Sequence, residues 1–162
     1  MANELLLPQH ISIYGVYTST FVLFASIISF IYKYYVLHVL TFCLYITSIL
    51  HWYKLQDGII RKLDKFFALM TILDITFVDS YYFISVYRTL WIIVIFIGLI
   101  TYCCNEIALT YIIPLQPPFY IRIETIHKWT TITHIFMFHI CATITCIYCI
   151  ISSNGYKNET IY

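Results

Sequence analysis

Charge is what this chain has least of. Only 10% of its 162 residues are Asp, Glu, Lys or Arg, against about 25% in an ordinary soluble domain. Nine basic and eight acidic side chains leave a net charge of +1, so there is no basic footprint and no nucleic-acid partner is expected. Glycine and proline are scarce too, four of each, and Pro114, Pro117 and Pro118 fall together where they would stop a helix. The N-terminus lacks the basic segment and short apolar stretch of a cleavable signal, so none is expected. No internal repeat, low-complexity segment or second domain is evident.

Apolar residues fill the space that charge leaves. They make up 61% of the chain, with a mean hydropathy of +0.83. A soluble fold of this length could not hide that much apolar surface, so lipid must be the solvent. The expected fold class is all-α, a polytopic transmembrane helical bundle of about five spans in one domain, 1–162. The spans are read at 11–32, 34–53, 62–86, 89–113 and 129–151, with a polar tail at 152–162. A sixth arises if the fourth run breaks near Asn105. With the N-terminus cytosolic, Lys54, Arg61, Lys62, Lys65, Arg122 and Lys128 fall inside, and Lys33, Arg88 and Lys157 outside. That distribution obeys the positive-inside bias. The tail then faces outward, where Asn158-Glu159-Thr160 forms a glycosylation sequon.

The expected location is a multi-pass protein of the endoplasmic reticulum, Golgi or plasma membrane, or of a viral envelope. The excess of Ile, Tyr and Phe fits an AT-rich genome, as in large DNA viruses, endosymbionts or parasites. All six cysteines lie inside apolar runs, where free cysteine behaves as a small hydrophobe. Cys146 and Cys149 have zinc-ribbon spacing, but no second pair accompanies them.

Ionisable side chains at membrane depth are costly, and each marks a candidate functional site. Ser48 and His51 end the second apolar run, and Asp64 opens the third. In the orientation above, His51, Asp64, Glu106, His127 and His134 approach one level near the cytosolic leaflet. Two neutral imidazoles plus a third ligand would hold zinc with one position open for water. Bound zinc lowers the pKa of that water to about 7, which suits attack on an amide or ester carbonyl. Asp64 would orient the water, and Ser48, one turn before His51 on the same face, would support the site.

Plainer roles stand beside these. His51 with Trp52 and Tyr53 reads as an interfacial aromatic belt, and Asp64 could pair with Arg61 or Lys65 or cap the third helix. His134 could hydrogen-bond Thr130. His38 and His139 read as structural, and Asp74, Asp79 and Glu106 could line an ion path.

Ser48 followed three residues later by His51, then a short loop and Asp64, resembles the signature of the CREST superfamily. This group includes alkaline ceramidases, progestin and adiponectin receptors and haemolysin-III-like proteins. The resemblance covers roughly residues 45–68 and the last helix. It implies a multi-span fold in which His51 and the histidines of the last span hold zinc while Asp64 holds the zinc-bound water. Members are typically seven-span proteins whose last span carries two histidines four apart. Here His127, His134 and His139 are spaced seven and five. On an α-helix the first pair is separated by about 10 Å along the axis, and the second pair points about 140° apart.

The expectation is thus a zinc-dependent lipid amide or ester hydrolase, or a non-catalytic relative of one. The metal site would be His51 and His134 with His127, and the catalytic groups Asp64 and Ser48. Partners would be membrane lipids, with homo-oligomers or other membrane proteins as further candidates. The rival is a non-enzymatic multi-span protein serving as an envelope, pore-forming or scaffold component.

Overall fold

A computed structural model describes residues 9–53, 58–109 and 120–160. The described chain is an all-α bundle of five helices with no strand among the described residues. They are α1 (Gln9–Ile31), α2 (Tyr35–Tyr53), α3 (Ile59–Phe77), α4 (Ser85–Ile107) and a last helix built of three parts. Its parts are α5 (Tyr120–His134), a π-helical segment (Ile135–Ala142) and α6 (Thr143–Thr160). Four of the five are long and apolar enough to cross a membrane: α1, α2, α4 and the last helix. The fifth, α3, spans 19 residues but carries Arg61, Lys62, Asp64, Lys65 and Asp74.

Several boundaries differ from the sequence reading. α3 ends at Phe77 rather than near residue 86, and a 3-10 turn, Asp79–Tyr82, follows. Arg88 secures this turn from the next helix, donating through Nε to the Ser80 carbonyl (2.8 Å) and through Nη2 to that of Tyr81 (3.0 Å). Such charge-assisted bonds satisfy carbonyls that a helix end leaves open. α4 therefore begins at Ser85, and Arg88 lies within it. The last helix runs well past both ends of its expected span, so 152–160 is helical rather than a tail. The Lys54–Asp57 connection, the expected end of the fourth span at Ile113 and the Pro114–Pro118 stop lie outside the described residues.

α1 and α2 form a tight hairpin. Lys33 takes the left-handed conformation (φ 62°), the Tyr34 amide donates to the Ser29 carbonyl (2.8 Å) and the Lys33 amide to that of Phe30 (3.1 Å). This is the Schellman pattern of a helix C-terminus. Small residues on the inner side of α1 let the neighbouring helices approach: Ser12, Ser19, Ser26 and Ser29 are all buried. Their hydroxyls do not go wanting, because Ser19 bonds the Gly15 carbonyl (2.7 Å), Ser29 that of Ala25 (2.8 Å) and Ser26 the His38 ring (2.9 Å).

Polar pairs between helices fix their antiparallel order. Lys65 near the start of α3 meets Glu106 near the end of α4 (2.8 Å), while Trp91 Nε1 donates to Thr76 Oγ1 at their other ends (3.1 Å). Asn105 meets Thr133 (3.0 Å), and the Ile84 amide donates to Ser153 (3.1 Å), which aligns α4 with the last helix. The bundle thus has two ends. Tyr53, Ile59, Ile107 and Thr125 mark the near end; Ile31, Tyr35, Phe77 and Ser85 mark the far end. The dense apolar core lies toward the far end, around Tyr34, Leu37, Ile75, Phe83, Trp91, Cys149 and Ile150. Toward the near end the helices part around a cavity.

Candidate functional site

Residues 48, 51 and 52 share one face of α2 by helical spacing, and all three side chains are buried. Across from them Asp64 is turned inward from α3, only 8% exposed. Ser48 Oγ donates to Asp64 Oδ1 at 2.5 Å; Thr47 Oγ1 lies 3.3 Å from the same oxygen, with its one proton shared with the nearer Cys43 and Leu44 carbonyls, both at 3.1 Å. The Ser48 hydroxyl is thus the main compensation for burial of the carboxylate, whose Oδ2 makes no hydrogen bond among the described residues. Lys65 and Arg61 turn instead to Glu106, at 2.8 and 3.9 Å. The charge pair at the mouth is separate from the acid in the interior.

The last helix brings in two histidines by an irregularity of its backbone. On an α-helix His134 and His139 would diverge. They flank and enter the π-helical segment, where hydrogen bonds close five residues apart and stack residue i+5 over residue i. Their ring centroids are consequently only 5.6 Å apart. Thr18 Oγ1 lies 3.1 Å from His139 Nδ1 and 2.8 Å from the Tyr14 carbonyl. The Gly15 carbonyl is also within reach of that hydroxyl, at 3.2 Å; with its one proton on a carbonyl, the hydroxyl would accept from Nδ1 and leave the imidazole lone pair on Nε2.

Trp52 stands among the imidazoles. Its ring centroid is 5.3 Å from His51, 5.8 Å from His134 and 5.9 Å from His139. The indole can occupy this position because α1 presents Gly15 there: a Cβ on Gly15 would meet the indole at 2.2 Å. Phe138 closes the other side of His134 at 5.2 Å.

These side chains face a cavity of about 620 Å³, within the range of small-molecule sites. Ser48, His51, Trp52, Asp64, His127, His134 and His139 line it, with Arg61, Lys65 and Glu106 toward the mouth. Its deeper wall is mostly apolar, with Val22, Ala25, Ile72, Ile75, Trp91 and Ile95, but Thr41, Thr71 and Thr143 also face it.

All the expected site residues therefore border one space, but not with equal intimacy. Ser48 and Asp64 touch, and His51 and His134 both pack on Trp52. His127 lies on the wall with no ring contact to the others among the described residues, whereas His139 is the imidazole beside His134. His38 is structural, bonded to Ser26. Asp74 and Asp79 lie toward the far end and do not join Glu106. Trp52 and Thr18 were missed by sequence reasoning, because only the approach of α1 gives them their contacts.

The histidine pair has a spacing that suits zinc: two Zn–N bonds of about 2.0–2.1 Å put the ring centroids roughly 5–6 Å apart. A third ligand does not close the set. Among the described residues no three His, Cys, Asp or Glu side chains form a group that could hold a metal ion. As they stand, these residues do not fit a resident zinc.

No family model, curated protein or solved structure matches the chain.

Proposed function

We propose that this chain is a multi-pass membrane protein that takes the acyl or alkyl chain of a lipid into its cavity and holds the polar linkage of that lipid beside Ser48, Asp64 and the histidines. In this reading it is a relative of ceramidase-like lipid amide and ester hydrolases, and α3 is a fifth crossing. The observation that carries it is the cavity itself, mostly apolar at depth and with its ionisable side chains gathered toward the near end. A lipid has the same division, and burying its chain there removes apolar surface without exposing polar groups. Oδ2 of Asp64 is an acceptor with no hydrogen bond among the described residues, so it suits a hydroxyl or amide N–H at the linkage. α3 favours a crossing because it runs beside α4 from Glu106 to Trp91, and its 19 residues extend about 28 Å.

The test is native mass spectrometry of the purified protein after exchange into mixed micelles containing long-chain amide and ester lipids. One lipid per chain is expected, with occupancy reduced at least tenfold by Ala68→Phe, which fills the deep wall. Equal lipid uptake by the wild type and this variant, or none by the wild type, would overturn the proposal.

A second reading, a working zinc hydrolase, starts from the facing pair His134 and His139 and needs a third ligand that the described residues do not bring to them. It requires stoichiometric zinc on the wild-type chain and turnover of the bound lipid that Asp64→Asn abolishes.

A further inference from the structure

We infer that the seam between α3 and α4 is a side door, through which the hydrocarbon chain of a membrane lipid passes between the bilayer and the cavity. The inference deepens the reading above and rests on it for the lipid and for α3 as a crossing.

The helices close in a ring around the cavity, in the order α1, α2, α3, α4 and the last helix. α1 packs closely along α2, α2 along α3, α4 along the last helix, and the last helix along α1. Consecutive though they are, α3 and α4 come close to each other at only a few points among the described residues. Helix packing seals every other seam of the wall, and this one is loose.

Two clasps hold it. Toward the near end Lys65 Nζ donates to Glu106 (2.8 Å) and stands over the Tyr102 ring, 5.4 Å from its centroid. Toward the far end Trp91 Nε1 donates to Thr76 Oγ1 (3.1 Å). Lys65 and Thr76 are separated by about 16 Å of helix. Between them α3 presents Leu69 and Ile72 to the cavity, and α4 presents Ile95 and Leu99. No hydrogen bond or ion pair among the described residues crosses that stretch.

Leu69 and Leu99 line the cavity and are nonetheless 52% and 42% exposed. A side chain that belongs at once to an inner wall and to the outer surface is the edge of an opening. The surface outside is apolar as well: Phe66 and Leu73 of α3 and Ile92, Phe96 and Ile100 of α4 are all exposed. Apolar surface therefore continues from the lipid-facing side, past two leucines, to the apolar part of the cavity. A hydrocarbon chain can follow that route without entering water, whereas a polar solute would have to shed its own. Parting two leucines also breaks no hydrogen bond, so the helices can separate there while the clasps stay closed.

The experiment measures lipid exchange. Intact protein loaded with a long-chain amide or ester lipid in micelles is mixed with an excess of the deuterated lipid. Native mass spectra at intervals then give occupancy and exchange rate together. Leu69→Trp and Leu99→Trp narrow the gap from either side. Each is expected to slow exchange at least fivefold and to leave final occupancy within a factor of two of wild type. Val39→Trp adds bulk at an exposed position of α2 outside the cavity lining, and should exchange as wild type does. If one seam variant does not fold, the other decides. Exchange at the wild-type rate in a folded seam variant would overturn the inference, and so would equal slowing by Val39→Trp. Loss of occupancy in both seam variants, with helical circular dichroism matching wild type, would make the leucines wall and not edge, and would overturn it too. An empty wild-type protein would overturn the lipid reading and the door with it, whereas normal occupancy with unchanged exchange removes the door alone.

Discussion

At the scale of single residues, Thr18 ties α1 to the last helix. Its hydroxyl lies 2.8 Å from the Tyr14 carbonyl and 3.1 Å from His139 Nδ1, and with its one proton on the carbonyl it would accept from the imidazole. Thr18→Val should remove the acceptor and shift His139 toward the tautomer protonated on Nε2, whereas Thr18→Ser should leave it unchanged. Nitrogen chemical shifts of labelled histidine distinguish the two, and a tautomer indifferent to Thr18→Val would refute the assignment. Part of this level was legible in the sequence. Ser48, His51 and Asp64 stood out because polar groups are expensive in lipid, and the structure joins Ser48 to Asp64 directly. Trp52 was not legible. A tryptophan at the end of an apolar run reads as a belt residue, and only the backbone of α1 at Gly15 shows that this one points inward.

At the scale of elements, the π-helical segment matters most. It converts a five-residue interval, which an α-helix would splay, into a facing pair. Thr143 Oγ1 bonds the carbonyl of Phe138, five residues back, and so follows the wide turn with its side chain. Removing one residue from the segment should relax it to α-helix and leave α6 close to its present register. Deletion of Met137 is accordingly expected to preserve helical content and to change the apparent melting temperature in detergent by no more than a few degrees. Deletion of Cys103 from the regular part of α4 should cost far more, since it rotates the Trp91–Ile95 face away from Glu106. Equal damage from the two deletions would speak against this account. The five-residue spacing was the only trace of the segment in the sequence, and on an α-helix it set His139 about 140° away from His134, so the facing pair was not legible. The end of α3 was hidden for another reason: residues 78–84 are apolar enough to continue a helix, and the turn there depends on Arg88 reaching back from the next element.

At the scale of the whole molecule, composition made the class plain, and the bundle agrees with it: all-α, with four helices long and apolar enough to cross a membrane. The extent of the chain between crossings was less plain, because α3 carries as much charge as a connection yet packs as a member of the bundle. If α3 crosses, five passes place the two termini on opposite sides. Tags at either end of the chain, probed by protease in sealed microsomes, should then show opposite protection. Like protection at both ends would reduce α3 to a surface or buried element. If the C-terminal end of the last helix faces outward, Asn158 should at the same time be a substrate for glycosylation, and an Asn158→Gln variant would show whether any mass shift comes from that residue.

The far half of the bundle has one more implication. Tyr34, Leu37, Phe83 and Ile150 are packed there at no more than 3% exposure, which stoppers the interior beneath the cavity. If a lipid does occupy the chamber, that stopper argues against its passage out through the far end, and exchange would then take place from the near half of the bundle.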